Sequence, residues 1–474
     1  MTLHIPFDNS YATLPEGFFT RINPKPVAAP RLVRFNSALA QELGIEADPT
    51  DPALADMLAG NRIPDGAEPL AQAYAGHQFG GFSPQLGDGR ANLLGEVIDS
   101  TGRRRDIQLK GSGPTPYSRM GDGRAWLGPV LREYVVSEAM QALGVPTTRA
   151  LAAVETGEPV YRESGALPGA VLTRVADSHI RVGTFQFFLA RRDLERLQAL
   201  FDYTRQRHYP QAETPGEMLA GVIGRQARLI ALWEGLGFIH GVMNTDNTTL
   251  SGETIDYGPC AYMDRYHPQT VFSSIDAQGR YAYANQAHVI VWNVAQLATC
   301  LVPLTPDQDV AVEEFTKLVH DMPALIAKYR SEVFARKLGL SAPREGDDAL
   351  VDDLLALMQA DGADFTNTFR SLSDGAPRDQ FTDRDAFDGW HARWQARIAD
   401  EDAPQDILRA ANPYVIPRNH RVEQMIQAAT EGDYAPLDRL SEALARPYET
   451  REEFADLTRP PLPEERVQQT FCGT

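Results

Sequence analysis

From Leu127 onward, apolar residues recur with a helical period. Leu127, Val130, Leu131, Tyr134, Val135, Ala139 and Leu143 share one face, and Gly144 and Pro146 close the segment. The pattern predicts a helix over 127–143. Upstream, short apolar runs alternate with Gly. Residues 91–99 and 103–111 predict a hairpin turning at Ser100-Thr101-Gly102, and 149–163 and 169–176 predict further strands. The stretch 32–44 predicts a helix closed by Gly44. Beyond about residue 184 the period stays helical, over 184–201, 216–236, 287–302 and 306–338. Past 340 the chain is polar, helical and broken by Pro, with an amphipathic helix in 350–365. A β-rich part followed by a large helical part predicts an α+β, two-lobed molecule. The expected organisation is an N-terminal extension over 1–60, a β-rich lobe over 61–183, a helical lobe over 184–340 and a helical C-terminal extension over 341–474.

Composition narrows the class. The chain has 474 residues, 43% of them hydrophobic, enough for a sizeable core. No unbroken run of about 18 apolar residues occurs, so no membrane span is expected. The first residues carry neither a basic segment nor an apolar one, so no secretory signal is expected and the cytoplasm is the default location. There are 45 Lys and Arg against 64 Asp and Glu, a formal charge of -19. Such a surface repels polyphosphate backbones, which argues against nucleic acid and anionic membrane as partners. A nucleotide remains open, because its site needs only a few cations. The three cysteines, Cys260, Cys300 and Cys472, form no CxxC or Cys/His cluster of the kind that holds structural zinc.

Four constellations carry candidate chemistry. Gly87, Gly89 and Arg90 lie in LGDGRANLLGEV between apolar runs, where glycines let backbone amides approach phosphate oxygens. Lys110 ends the apolar strand DIQLK, the position from which kinases hold nucleotide phosphates, and Glu133 in the following helix is its candidate partner, with Glu138 as a rival. Between them Asp122 and Gly123 repeat the DGRA of residues 88–91. Arg174 and Arg181, seven apart, offer two guanidinium forks for phosphate. The fourth is HGVMNTDNTTLSGETIDYG, residues 240–258. Laid over the kinase pattern H-R-D-x-x-x-x-N…D-F-G, His240 matches the His, Asn247 the metal-binding Asn, and Asp256-Tyr257-Gly258 the D-F-G. Val242 falls where the catalytic Asp belongs, while Asp246 stands one residue before the Asn. Asn247 and Asp256 offer hard oxygens suited to magnesium or manganese. The spacing thus reads as a kinase-like core with a displaced base. A polar-aromatic cluster, Arg280, Tyr281, Asn285 and Gln286, follows the DYG and is expected to pack near the site. His208 and His267 are expected in loops, and Trp233 and Phe238 in the core.

These residues resemble the SelO (YdiU) family of protein adenylyltransferases. The resemblance rests on FDNSYATLPEGFFTR, AGHQFGGFSPQLGDGRA, DIQLKGSGPTPYSRMGDGRA, HGVMNTDN, IDYGP, GRYAYANQ and the terminal FCGT, spread over nearly the whole chain. It implies a pseudokinase-like, bilobal fold that binds ATP in a flipped orientation and transfers AMP to Ser, Thr or Tyr hydroxyls of proteins, this chain's own included. It places nucleotide contacts on Gly87, Gly89, Arg90, Lys110, Asp122, Gly123, Arg174, Arg181 and Asp256, the proton acceptor on Asp246, and the metal, Mg2+ or Mn2+, on Asn247 and Asp256. A phosphotransferase using Asp246 as base, a non-catalytic nucleotide-binding scaffold, and UTP as donor remain open. Cys260, directly after the DYG, and Cys472 near the C-terminus are a candidate redox pair. Many relatives carry a second Cys or selenocysteine near the C-terminus; with one Cys followed by Gly-Thr, a redox pair within the tail is excluded.

Overall fold

The computed structural model describes residues 3–163 and 165–471. Its β part is dominated by one large antiparallel sheet, beside three two-stranded ones among the described residues. The strands of the large sheet run in the order Phe19–Arg21, Leu70–Gln72, Ala91–Ile98, Arg104–Lys110, Gly165–Ala176, Arg149–Arg162 and Arg31–Phe35, with Ala125–Trp126 pairing Gly165–Ala176. Both faces are covered. Leu54, Leu58 and other residues of the N-terminal helices pack on Ile107, Leu109, Val171 and Val175. The helix Leu127–Ala142 packs on the opposite face, against Ala150, Ala153 and Leu172. Strand alternation then decides where the polar residues go. With Ile107 and Leu109 committed to the first face, Asp106, Gln108 and Lys110 must point the other way. Arg174 sits directly across from Gln108 in the ladder.

The helical part is built around Pro215–Leu236, which packs against both Gln286–Leu301 and Gln308–Lys337. Thr214 starts the first of these with a capping box, its hydroxyl accepting from Glu217 N (3.2 Å), and Gly237 at φ +67 ends it. That left-handed Gly turns the chain directly into the strand that leads to His240. One segment, Tyr283–Leu304, has the length and mean hydropathy to cross a membrane. Asn, Gln and His interrupt its apolar run, and within the fold its Val289, Ile290, Val294 and Leu297 are buried core.

The hairpin, the helix over 127–143 and the later strands form where the pattern predicts them. Three expectations need correction. Residues 32–44 are not one helix: Arg31–Phe35 is a sheet strand, drawn in by pairing with Arg149–Arg162, and the helix is confined to Ser37–Glu42 behind an Asn36 cap. The helix over 184–201 breaks after Ala190, because Asp193 accepts from Arg196 N (3.1 Å) and starts a new helix, Leu194–His208. His208 is therefore not a loop residue; it is buried at that helix's end, 2.7 Å from Ser178 Oγ. The terminal segments build into the body. Phe19–Arg21 and Arg31–Phe35 form the two edges of the sheet, and Asn419–Thr430 and Ala435–Leu444 cover the Leu127–Ala142 helix.

Candidate active site

Four of the expected residues meet in one buried ion cluster. Lys110 Nζ donates to Glu133 Oε2 (2.6 Å) and to Asp256 Oδ1 (2.7 Å). Arg174 Nη1 donates to Glu133 Oε1 (3.1 Å) and to the same Asp256 oxygen (2.7 Å), while its Nη2 donates to Gln108 Oε1 (2.7 Å). Glu138, the rival partner, is turned away and binds Arg149 and Asn36 instead. The cluster balances two cations against two carboxylates. Burial alone would raise the Asp256 pKa, but Lys110, Arg174 and Arg181 outweigh it and hold this carboxylate well below the usual range. Asp256 adopts φ +62, a left-handed conformation uncommon outside Gly. Its carboxylate's bonds to Lys110 and Arg174 supply the interactions that hold it there.

Arg181 links this cluster to a second carboxylate set. Its guanidinium lies 4.3 Å from the Tyr74 ring centre and 3.9 Å from Asp88 Oδ1. Asp88 is itself buried, accepting from Gln72 N (3.1 Å) and Gln108 Nε2 (3.2 Å). Asp246 is 7% exposed. Burial pushes its carboxyl up to about 6, with Arg181 pulling the other way. Its Oδ2 accepts from Gln78 Nε2 (3.2 Å), whereas Oδ1 is buried without a hydrogen-bond partner. An orphaned carboxylate oxygen carries a substantial desolvation penalty unless something donates to it. A hydroxyl group would do so.

The loop around Asp246 is fixed by its own sequence. His240 Nδ1 accepts from Val242 N (3.3 Å), which leaves Nε2 to donate to Ile255 O (2.8 Å); burial lowers the His240 pKa, so this imidazole is neutral. Val242 is buried at 4% exposure and has no proton chemistry. Asn247 donates its amide N–H to Val242 O (3.0 Å), which orients its Oδ1. Tyr281 OH donates to Asn244 Oδ1 (2.6 Å), and Gln286 ties Phe238 O to His240 N, so the polar-aromatic cluster does pack on this loop.

The glycine loops sit at the open edge. A Cβ at Gly87 would lie 2.5 Å from the Tyr117 ring, and one at Gly89 would lie 2.8 Å from Tyr117 O. These glycines let the 112–124 loop close onto them, and Thr115 Oγ1 donates to Asp88 O (2.7 Å). Gly123 accepts from Gly113 N through its carbonyl (3.0 Å), so the two DGR turns border one loop assembly. Arg90 accepts from Gly111 N through its carbonyl (2.7 Å) and is half-buried. Asp122 lies at the rim, paired with Arg162 (2.8 Å). Cys260 is buried; Cys472 lies outside the described residues.

Residue-by-residue reading of the chemistry missed the hairpin Gly76–Ser83. His77 N donates to Thr245 Oγ1 (2.7 Å) and Phe79 N to Asn244 Oδ1 (3.1 Å), and Gln78 reaches Asp246. A Cβ at Gly76 would sit 2.6 Å from Asp246 Oδ1, so only Gly permits this approach. The signal was present in the sequence as His-Gln-Phe framed by Gly76, Gly80 and Gly81.

Among the described residues no three His, Cys, Asp or Glu side chains converge on one metal-sized point. Asn247 and Asp256 each offer an oxygen of the kind a hard divalent cation takes. One has its amide oriented by Val242, the other is held ionised, and substrate phosphates and water commonly complete such a shell.

The family model described as protein adenylyltransferase SelO matches residues 1–445. The chain is 63% identical over 474 residues to the protein nucleotidyltransferase YdiU of Ruegeria pomeroyi, with all of both chains covered. It is 61% identical to that of Ruegeria sp. over the same span, and 57% identical over 492 aligned positions to that of Bradyrhizobium diazoefficiens, again with both chains fully covered.

Proposed function

The chain belongs to the SelO family of protein adenylyltransferases and is a nucleotidyltransferase. From that premise we propose that it transfers AMP from ATP to Ser, Thr or Tyr hydroxyls of proteins and releases pyrophosphate. The architecture we assign is protein-kinase-like and bilobal, with ATP between the sheet and the helical part. The observation that carries the reading is Asp246. Val242, at the kinase base position, cannot accept a proton, and the nearby acid is a buried carboxylate with one unpartnered oxygen.

In this reading Lys110, Arg174 and Arg181 hold the β- and γ-phosphates, a role suited to cations already fixed by buried partners. The glycine loops carrying Gly87, Gly89, Arg90, Asp122 and Gly123 border the nucleotide. Its α-phosphate then faces Asp246. The acceptor hydroxyl donates to Asp246 Oδ1, its oxygen attacks the α-phosphorus, its proton passes to the carboxylate, and the bond to pyrophosphate breaks. A Mg2+ or Mn2+ ion held by Asn247 and Asp256 supplies neutralisation of phosphate charge. Protein substrates, including the chain itself, act as acceptors, in the cytoplasm and without nucleic acid or membrane. A coupled pyrophosphate assay tests the reading. Wild type is expected to release pyrophosphate as it modifies protein, and Asp246→Asn to lose about 10²- to 10⁴-fold in turnover. An Asp246→Asn variant with full turnover would remove Asp246 from the chemistry.

A further inference from the structure

We propose that Arg280 and the aromatic ledge around it form the docking surface for the acceptor segment, and that they select acceptors with an acidic residue close to the hydroxyl; this rests on the reading of Asp246 as the acceptor-side carboxylate.

The ledge is continuous with that carboxylate. The Gly76–Ser83 hairpin is pinned to Asn244, Thr245 and Asp246, and it presents Phe79 at 36% exposure and Phe82 at 43%. His77 lies between Phe82 (4.9 Å, tilted) and Trp292 (5.1 Å, edge-on), and Phe79 meets Tyr281 (5.1 Å). These rings make an apolar platform beside Asp246, whose Oδ1 is the one buried carboxylate oxygen without a partner among the described residues. Exposed aromatic groups around a functional group mark interaction sites more often than isolated exposed side chains do.

A single cation stands on this platform. The Arg280 guanidinium lies 5.0 Å from the Trp292 ring centre and would be 3.9 Å from a Cβ at Gly80. Its Nε is buried without a hydrogen-bond partner, and it forms no ion pair with any described carboxylate. The nearest acid in sequence, Asp276, is occupied: its two oxygens accept from Arg280 N (2.9 Å) and Tyr281 N (2.8 Å). In a chain with a formal charge of -19, cationic side chains commonly find internal carboxylates, as Lys110 and Arg174 do here. A stacked, pre-oriented guanidinium left without one is complementary to an acid supplied from outside. The neighbouring rings favour a peptide carboxylate on an extended segment, whose backbone and side chains can lie across Phe79 and Phe82. The committed occupant is therefore an acidic stretch of a protein substrate, with its hydroxyl at Asp246.

The test uses the full-length protein, ATP, a divalent metal and a degenerate pool of peptides, each with one Ser, Thr or Tyr. The flanking positions are Asp/Glu, Ala or Lys, and adducts are identified by mass spectrometry. Wild type is expected to favour Asp/Glu flanks over Ala by about two- to fivefold, the upper range of one partly exposed ion pair. Arg280→Ala should remove the preference, and Arg280→Glu should transfer it to Lys flanks. AMP transfer with no acid preference, or a preference unchanged in Arg280→Glu, would overturn the docking surface and leave the AMP-transfer reading intact. An acid preference seen in phosphate adducts would keep the surface and overturn AMP transfer. A wild-type pool without any adduct would count against the ledge as a peptide site.

Discussion

Replacing Glu133 by Gln unbalances the ion cluster and nothing else of similar size. Lys110, Arg174, Glu133 and Asp256 carry two positive and two negative charges, and the Glu133 and Arg174 side chains are only 6% and 3% exposed. The variant leaves one excess buried positive charge. Breaking a buried pair from one side costs about 3–5 kcal/mol. Gln keeps an acceptor, which places the expectation near the lower end, about 3 kcal/mol. In a chain of this length that corresponds to a melting-temperature loss on the order of 3 °C by differential scanning calorimetry. Lys110 also loses one of its two anchors, so turnover is expected to fall about 10- to 100-fold, equivalent to roughly 1.4–2.7 kcal/mol. Glu138→Gln is the control. It removes a carboxylate from the same helix that binds Arg149 and Asn36 and does not reach Lys110, so turnover should stay within about twofold. A Glu133→Gln protein as stable and as active as wild type would refute the cluster as the organiser of the site; equal losses from both variants would reduce it to a general effect on the helix.

Three further outcomes follow from the same structure. Asp256→Asn is expected to abolish turnover and also to lower the melting temperature, because Asp256 anchors Lys110 and Arg174 besides being the proposed metal ligand; calorimetry alongside a saturating-magnesium assay checks both. Lys337 is buried with its ammonium 2.9 Å from Asn412 Oδ1, and burial pushes its pKa down to about 7. Between about pH 7 and its unfolded value near 10.4 the unfolded chain binds a proton that the fold does not, so this group makes stability rise with pH by at most about 1.4 kcal/mol per unit. Lys337→Met should flatten that slope and gain most below pH 7; an unchanged pH–stability curve would contradict the burial argument. For the thiols, Thr470 Oγ1 donates to Pro259 O (2.5 Å), which ties the end of the described chain beside Cys260. Oxidation is expected to yield a Cys260–Cys472 crosslink in non-reducing peptide maps, and its persistent absence would dismiss the pair.

The sequence announced the site better than it announced the way the site is held. The Leu127–Ala142 helix and the strand ending at Lys110 were legible because their apolar periods are long and clean, and together they fix the reach from Glu133 to Lys110. Periodicity could not choose between Glu133 and Glu138, since that depends on the rotation of the helix against the sheet. The strand Arg31–Phe35 was misread because its partner lies more than a hundred residues away, and long-range pairing overrode a helical pattern. The break at Asp193 depends on a single cap, which competes locally with helix continuation. Gly87 and Gly89 also make room for Tyr117, a close approach that the DGR motif does not reveal because the 112–124 loop folds back onto it. The Gly76–Ser83 hairpin was hidden because no periodicity marks it. Its meaning lies in contacts with residues 244–246, nearly 170 positions away.

The central claim is that Asp246 stands beside the α-phosphate, so that AMP rather than phosphate leaves ATP for the acceptor. Intact-mass measurement of the protein and its acceptors after incubation with ATP and magnesium or manganese, paired with α- and γ-labelled ATP, tests it most directly. The account predicts a mass gain of one AMP, label retained from the α-position only, and pyrophosphate in solution. A gain of one phosphate, with label from the γ-position and ADP as the product, would contradict it.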